Sequence, residues 1–222
     1  MKKLNQWIDR FAYSHPRFGI PNLMLYIVIA NAVTYILTLF AGSAALSFLK
    51  FDLYHVLHGE MWRLVTFVLL PFTYRPISLF IMLSFCYFVG GTLEREWGTA
   101  KFTLYYFSGV VLTLVVGIVT ALVSGHNVLI EGTSYVNLSM FFAFAMLYPE
   151  TQFLVFFIIP VKVKWLAWID AAFFALSVVT SLFRLDILNA LLPVVALLNF
   201  FVFFWTNITD EIAYRRGRTR QS

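Results

Sequence analysis

The stretch GGTLEREWGTAKFTLYYFSGV, Gly90 to Val110, joins two long apolar segments through a short charged connection. The apolar segments cover residues 77–93 and 102–123. Each has the roughly 17 to 25 residues that cross a bilayer as a helix. A helix is favoured because its backbone groups bond to one another, and hydrocarbon offers them no other partner. The stretch therefore indicates two successive transmembrane helices.

The composition of the whole chain extends this interpretation. Of its 222 residues, 61% are hydrophobic and 12% are charged, with a mean hydropathy of +0.82. A soluble domain typically carries about twice that charged fraction. The sequence thus predicts an integral, all-α membrane protein. Its predicted spans are residues 22–44, 77–93, 102–123, 133–148, 166–183 and 188–205.

Basic residues predict the topology. Six spans place both termini on one side, and if that side is cytoplasmic it holds twelve of the 16 lysines and arginines. This excess follows the positive-inside rule. We expect a basic cytoplasmic segment at 1–21, one membrane domain at 22–206 and a basic cytoplasmic tail at 207–222. A multi-pass protein of a bacterial plasma membrane is the expected location.

The net charge does not indicate nucleic-acid binding, and the histidines do not indicate a metal site. The net charge of +5 arises from basic residues at the ends of spans, so we expect membrane lipids and no nucleic acid as partners. His55 and His58 stand three residues apart, but no third residue is spaced to complete a metal site. No metal or other cofactor is expected.

Two connections are too apolar for solvated loops. The first covers residues 45–76, which predicts short amphipathic helices in the membrane interface with Trp62 near the headgroups. The second, residues 153–164, is interrupted by Pro160 and two lysines. These residues argue against a clean crossing, so we expect an interfacial dip there.

Several motifs follow one another in a familiar order. They are Trp62-Arg63 in the first loop, Gly90-x-x-Leu93-Glu94 at the end of the second span, and Gly98 before the third. In this order and spacing, they resemble the rhomboid superfamily over residues 22–205. The resemblance implies a six-transmembrane-helix bundle with an amphipathic first outer loop. We expect Trp62 and Arg63 to hold that loop in place.

The resemblance also extends to the fourth span. Rhomboid proteases begin it with Gly-x-Ser-Gly, and here Gly132-Thr133-Ser134-Tyr135 aligns with that motif. Ser134 is the match to the family nucleophile, while Tyr135 replaces the last glycine. The family's base is a histidine of the sixth span, but the last histidine of this chain is His126.

The oxyanion-stabilising residues of the family are missing as well. Active rhomboids carry His-x-x-x-Asn near the start of the second span, and the corresponding positions here are Ser78 and Met82. Losing even one oxyanion donor typically costs about 3 kcal/mol of transition-state stabilisation. Both the base and the oxyanion donors that the resemblance requires are therefore absent.

Several roles remain open for these residues. Ser134 could act with His126 or Glu131 as a non-standard base, or Thr133 or Ser134 could cap the fourth helix. Asp170 could be structural, within reach of Lys164, or functional. Polar residues within the spans are expected to form hydrogen bonds between helices; they are Asn31, Asn137, Ser139 and Asn199.

The function that we expect is non-proteolytic. The chain resembles the inactive branch of the superfamily, which includes the derlins and inactive rhomboids and binds transmembrane segments of client proteins. Single-span membrane proteins are the expected clients, and no enzyme activity is expected. The alternatives are a rhomboid-type intramembrane serine endopeptidase with a rearranged base and a small-solute transporter.

Overall fold

A computed structural model describes residues 8, 10–15, 18–71, 73–125, 128–130, 132–155, 159–183, 191, 194 and 197–203. The elements in chain order are α1 (Leu23–Ala41), α2 (Ser43–Leu49), β1 (Phe51–Asp52), α3 (Leu53–Leu57), α4 (Arg63–Thr66), a 3₁₀ turn (Phe67–Leu69), α5 (Pro76–Trp97), α6 (Thr99–Ser124), β2 (Leu129–Ile130), α7 (Ser134–Leu147), β3 (Gln152–Val155), β4 (Ile159–Lys162) and α8 (Val163–Phe183). Residues 197–203 are also helical and are called the last helical segment.

The long apolar helices confirm an all-α membrane protein. Four of them, α1, α5, α6 and α8, are long and apolar enough to cross a membrane. They correspond to the first, second, third and fifth predicted spans. Half of the sixth predicted span, 188–205, lies outside the described residues. The described residues therefore show four helices that could span a membrane.

Two predicted span lengths need correction. The second span was expected to have about 17 residues, but α5 has 22, because the helix continues through the charged residues Glu94–Glu96 as far as Trp97. The fourth was expected to cover 133–148, but α7 has only 14 residues. At 1.5 Å per residue α7 is about 21 Å long, which is shorter than the roughly 30 Å hydrocarbon core of a bilayer.

The first loop folds into short helices, as predicted, but also contains a strand. Strand β1 pairs antiparallel with β2, with Phe51 opposite Ile130. Phe51 is fully buried, and its ring lies 6.5 Å from the ring of Phe67. The first loop is therefore fixed to the connection that leads into α7.

A β-hairpin replaces the dip expected at residues 153–164. Strands β3 and β4 pair antiparallel, and Gln152 stands opposite Lys162. Phe153 packs against α5, with ring centroids 5.3 Å from Phe85 and 5.7 Å from Phe88. Pairing between the strands satisfies backbone groups that Pro160 would have left without partners in a helix.

The centre of the fold is α7. It packs against α5, α6 and α8, and nine of its 14 residues are buried. Because an apolar face all round a helix is typical of a buried helix, α7 is enclosed by the longer helices. The start of α7, where the motif residues stand, is thereby held at one end of the bundle.

Candidate functional site

Ser134 is the first residue of α7, and its side chain is exposed. The preceding Gly132 has a φ of 83°, a conformation that residues with a Cβ rarely adopt. Gly132 therefore forms the turn that directs the chain into α7. Within the part of the chain that the structure describes, the Ser134 hydroxyl makes no hydrogen bond.

Thr133 is buried and does not cap the helix as the sequence suggested. Its side chain makes no hydrogen bond to a backbone N–H of α7. Instead, Thr133 Oγ1 accepts hydrogen bonds from the Tyr106 hydroxyl and from Asn137 Nδ2, both at 3.3 Å. The hydroxyl is occupied by side chains of α6 and α7, which joins the start of α7 to α6.

The described histidines are engaged elsewhere. His15 Nδ1 lies 3.3 Å from the Phe11 carbonyl, His55 Nδ1 lies 2.8 Å from Asp52 Oδ2, and His58 Nδ1 lies 2.7 Å from the Tyr54 carbonyl. His126 and Glu131, the two alternative bases, lie outside the described residues. No imidazole or carboxylate among the described residues is bonded to Ser134.

The positions aligned with the oxyanion motif lie on α5. Ser78 is exposed, and Met82 is partly exposed. A methionine side chain has no hydrogen to donate, so it cannot stabilise an oxyanion. At this position α5 therefore presents an apolar side chain.

Tyr135 occupies the position of the motif's last glycine. Its ring lies 6.3 Å from that of Phe174 on α8, with the two planes nearly perpendicular. Phe174 also packs edge to face with Phe142 of α7. Tyr135 therefore fills space between α7 and α8 that a glycine would leave open.

A buried polar network joins the last helical segment to the bundle. The Tyr105 hydroxyl donates to Ser139 Oγ at 2.9 Å, and Ser108 Oγ donates to Asn199 Oδ1 at 2.7 Å. Asn199 Nδ2 donates to the Tyr105 carbonyl at 3.2 Å. The predicted interhelical bonding of Ser139 and Asn199 is confirmed. Sequence reasoning missed Tyr105 and Ser108, because nothing in their local pattern marks them as partners.

Other polar residues within the spans also bond as expected. Asn31 is buried, and its Nδ2 donates to the Val68 carbonyl at 3.2 Å, which joins α1 to the 3₁₀ turn. The predicted interhelical role of Asn31 is therefore confirmed. Asn137 bonds instead within the start of α7, to Thr133.

Trp62 and Arg63 bond to the end of α2. Arg63 is 4% exposed, and its guanidinium donates to the carbonyls of Ser47 and Lys50, the latter at 3.0 Å. Trp62 Nε1 donates to the Phe48 carbonyl at 3.3 Å. These bonds satisfy carbonyls that the end of a helix leaves without intrahelical partners. The pair therefore holds α2 against α4.

Gly90 and Leu93 stand where α5 meets α1. A Cβ on Gly90 would lie 2.5 Å from Met24 Cγ, so the two helices approach too closely for a larger residue without a shift. Leu93 is fully buried one turn later. The motif glycine therefore allows close packing of two spans.

Glu94 and Gly98 stand at the turn between α5 and α6. Glu94 Oε1 accepts hydrogen bonds from the Asn22 backbone N–H at 2.9 Å and from Thr99 Oγ1 at 3.1 Å. Gly98 has a φ of 80° and separates the two helices. Glu94 thus ties the start of α1 and the start of α6 to the end of α5.

Asp170 does not pair with Lys164 as the sequence suggested. Lys164 Nζ lies 2.5 Å from Glu150 Oε1, and Lys162 Nζ lies 2.6 Å from Glu150 Oε2. These two bonds hold the pKa of the Glu150 carboxyl at about 2, below its ordinary value of 4.5. Both lysines are therefore paired with Glu150, in the turn between α7 and β3, and not with Asp170.

Residues 22–212 match the protein family described as "Eukaryotic integral membrane protein (DUF1751)". The chain belongs to this eukaryotic family of integral membrane proteins. No curated protein matches it. The family match covers all of the described helices from α1 to the last helical segment, so the site lies wholly within the family region.

The family corrects the expected location. A bacterial plasma membrane was predicted, but members of this family are eukaryotic. The prediction was wrong because basic residues beside the spans indicate which side of a membrane a segment faces. They carry no information about which membrane that is. The multi-pass interpretation itself agrees with the four long apolar helices.

Proposed function

We propose that this chain is a rhomboid-like pseudoprotease that binds transmembrane segments of other membrane proteins without cleaving them. One observation carries the proposal. The Ser134 hydroxyl is exposed at the start of α7, and no base among the described residues is bonded to it. A serine hydroxyl is a weak nucleophile until a neighbouring base removes its proton. The stretch 188–205, where the family places its base, contains no histidine.

The contacts of the motif residues support the rhomboid-like part of the proposal. Arg63 bonds the end of α2, Gly90 allows α1 to approach α5, and Glu94 joins three helix ends. All three residues serve the packing of the bundle, so they remain useful to a protein without catalysis. This inference from fold to function is an analogy.

A cleft beside α7 is where we place the client segment. Helices α5 and α8 each pack against α7 more closely than against each other. The ring of Phe85 lies 5.6 Å from that of Phe141, which fills the part of the space nearer the hairpin. Met82 and Ser78 stand one and two turns before Phe85, on the same face of α5. We propose that the client segment lies in the region bounded by these two residues, Ser134 and Phe174, and we call this region the cleft.

Site-specific photo-crosslinking tests the client-binding proposal. Met82 bounds the proposed cleft on α5, and the exposed Phe173 is the neighbour of Phe174 on α8, whereas Val111 and Val115 are exposed residues of α6. In cell membranes, we expect the first two positions to capture single-span membrane proteins as discrete adducts that mass spectrometry identifies. The two α6 positions provide the matched control, because they are also exposed and apolar.

Comparing the adducts at the two cleft positions with those at the two α6 positions distinguishes client binding from nonspecific capture. Adducts with the same single-span proteins at Met82 and Phe173, and not at Val111 or Val115, would support the cleft. Capture of lipid alone at all four positions would contradict client binding. Equal capture of proteins at all four positions would contradict the cleft as the site of recognition.

An active serine protease remains the second candidate. The observation in its favour is that the Ser134 side chain is exposed, so a substrate could reach it. Catalysis would then require His126 or Glu131 as the base. Labelling of Ser134 by an active-site probe distinguishes this candidate from the first.

A further inference from the structure

An apolar groove lies between α7, α8 and the last helical segment. Its volume is about 470 Å³. The lining includes Ala145 of α7, Ala167 and Ala171 of α8, and Leu197 and Phe200 of the last helical segment. Nearly all of these side chains are apolar. The groove adjoins the cleft, because Phe142 lines the groove and also packs against Phe174, which bounds the cleft.

Small residues give the groove its shape. Ala167 and Ala171 stand four residues apart and therefore on one face of α8. Together with Ala145 of α7 they leave a narrow notch. The groove volume of about 470 Å³ equals only about one turn of a helix that is about 10 Å in diameter with its side chains. A single acyl chain, which is far thinner than a helix, suits this volume better.

One end of the groove is positively charged. Lys164 lines it, and Trp168 stands beside it with a 72% exposed side chain. Lys162 and Lys164 share the single carboxylate of Glu150, so one positive charge is left over. An ammonium group has three hydrogens to donate, and one of those on Lys164 is directed to Glu150. The end of the groove can therefore receive an anion.

The position of this end suits a lipid headgroup. Trp and Lys are typical of the interface between membrane and water. Here they stand in the first two turns of α8, directly after the hairpin. The charge and the apolar notch thus follow each other along α8 in the order in which a phospholipid presents its phosphate and its acyl chain.

We propose that this groove binds an anionic phospholipid, with an acyl chain in the alanine notch and the headgroup at Lys164. The proposal does not depend on the client-binding function, because its contacts are those of Lys164 and the three alanines, and it uses neither Ser134 nor Met82. Lys164 supplies the attraction for the negative headgroup. The notch supplies the apolar contact that a soluble phosphate compound could not use.

A photoactivatable phosphatidylserine with its reactive group in the acyl chain tests the site. The purified chain is placed in nanodiscs of phosphatidylcholine that contain this probe, and the labelled peptides are mapped by mass spectrometry. A phosphatidylcholine probe with the same acyl chain is the comparison. We expect the phosphatidylserine probe to label α8 and the last helical segment about fivefold more strongly.

Two alanines of α8 provide matched variants for the notch. Ala171→Trp fills the groove, whereas Ala172→Trp adds the same side chain at an exposed neighbouring position. We expect the first variant to lose the labelling and the second to retain it. Equal labelling of both variants would overturn the groove as the site. Size-exclusion profiles equal to that of the unmodified chain show that both variants are folded.

Opposite charge changes test the headgroup. Lys164→Gln should reduce the preference for the phosphatidylserine probe, and Glu150→Gln should raise it, because the second change leaves both lysines without their carboxylate. A preference that both variants leave unchanged would overturn the role of Lys164. Soluble glycerophosphoserine should not compete, and full competition by it would overturn a lipid as the occupant.

Discussion

The position of Ser134 in the fold could be predicted from the sequence, but the hydrogen-bond partners around it could not. The sequence aligns it with a nucleophile, and the structure places it exposed at the start of α7. Its neighbour Thr133 was expected to cap the helix, but Thr133 Oγ1 accepts hydrogen bonds from Tyr106 and Asn137 instead. The alignment predicted where these residues stand. It could not predict their partners, because these come from elsewhere in the fold.

Arg63 gives a test at the same scale. Its guanidinium is buried and bonds two backbone carbonyls and Glu60 Oε2. Arg63→Ala would remove the hydrogen bonds of a buried guanidinium, and hydrogen bonds to charged groups contribute about 1.5 to 3 kcal/mol each, so we expect a loss of about 3 kcal/mol in unfolding free energy. Thermal unfolding in detergent measures the change. Arg95→Ala is the control, because Arg95 is exposed and should change stability little; an equal loss in both variants would contradict the account.

Glu150 gives a pH prediction. Hydrogen bonds from Lys162 and Lys164 hold its pKa at about 2. Since this pKa is below the ordinary 4.5, the ion pairs stabilise the folded chain fully above about pH 4.5. This stabilisation is lost as the pH falls toward about 2. We expect the carboxyl ¹³C resonance of Glu150 to stay constant down to about pH 4. The double variant Lys162→Gln, Lys164→Gln should titrate near 4.5, and such a titration in the unmodified chain would contradict the pairing.

At the scale of elements, the long helices were predictable and the strands were not. Apolar runs such as 102–123 predict helices because the bilayer fixes their length. The two-residue strand β1 forms only because β2 lies beside it, and residues 51 and 130 are far apart in the sequence. The hairpin β3–β4 depends likewise on Phe153 packing against α5. Helix ends such as Glu94–Trp97 were missed because charged residues can extend a helix beyond the apolar part.

The packing of α1 on α5 is tested by two adjacent glycines. A Cβ on Gly90 would meet Met24, whereas a Cβ on Gly91 would have no heavy atom within 4 Å. Gly90→Leu should therefore destabilise the bundle by about 1 to 3 kcal/mol through overpacking. Gly91→Leu should have little effect or stabilise α5 slightly, since leucine favours a helix more than glycine does.

The two glycine variants are compared by thermal unfolding in the same detergent. Each replaces glycine by leucine in the middle of α5, so the intrinsic helix preference changes equally. A difference between them therefore reports the contact with α1. Equal stability of the two variants would contradict a close approach at Gly90.

At the scale of the whole molecule, the sequence predicted a membrane protein and its described spans. Residues 188–205 contribute through Asn199, whose bonds to Tyr105 and Ser108 hold the last helical segment against α6. The prediction of a bacterial membrane was wrong, because hydropathy and charge describe a bilayer and its two sides without identifying the organism. The family match supplied that correction.

The central claim is that this bundle retains the position of the rhomboid nucleophile without its chemistry. Labelling by a fluorophosphonate probe tests it most directly, because such probes react with activated serines. The purified chain and its Ser134→Ala variant are treated alike, with an active rhomboid protease as the positive control. We predict the same background labelling of both chains. Labelling of the unmodified chain that is lost in Ser134→Ala would contradict the claim.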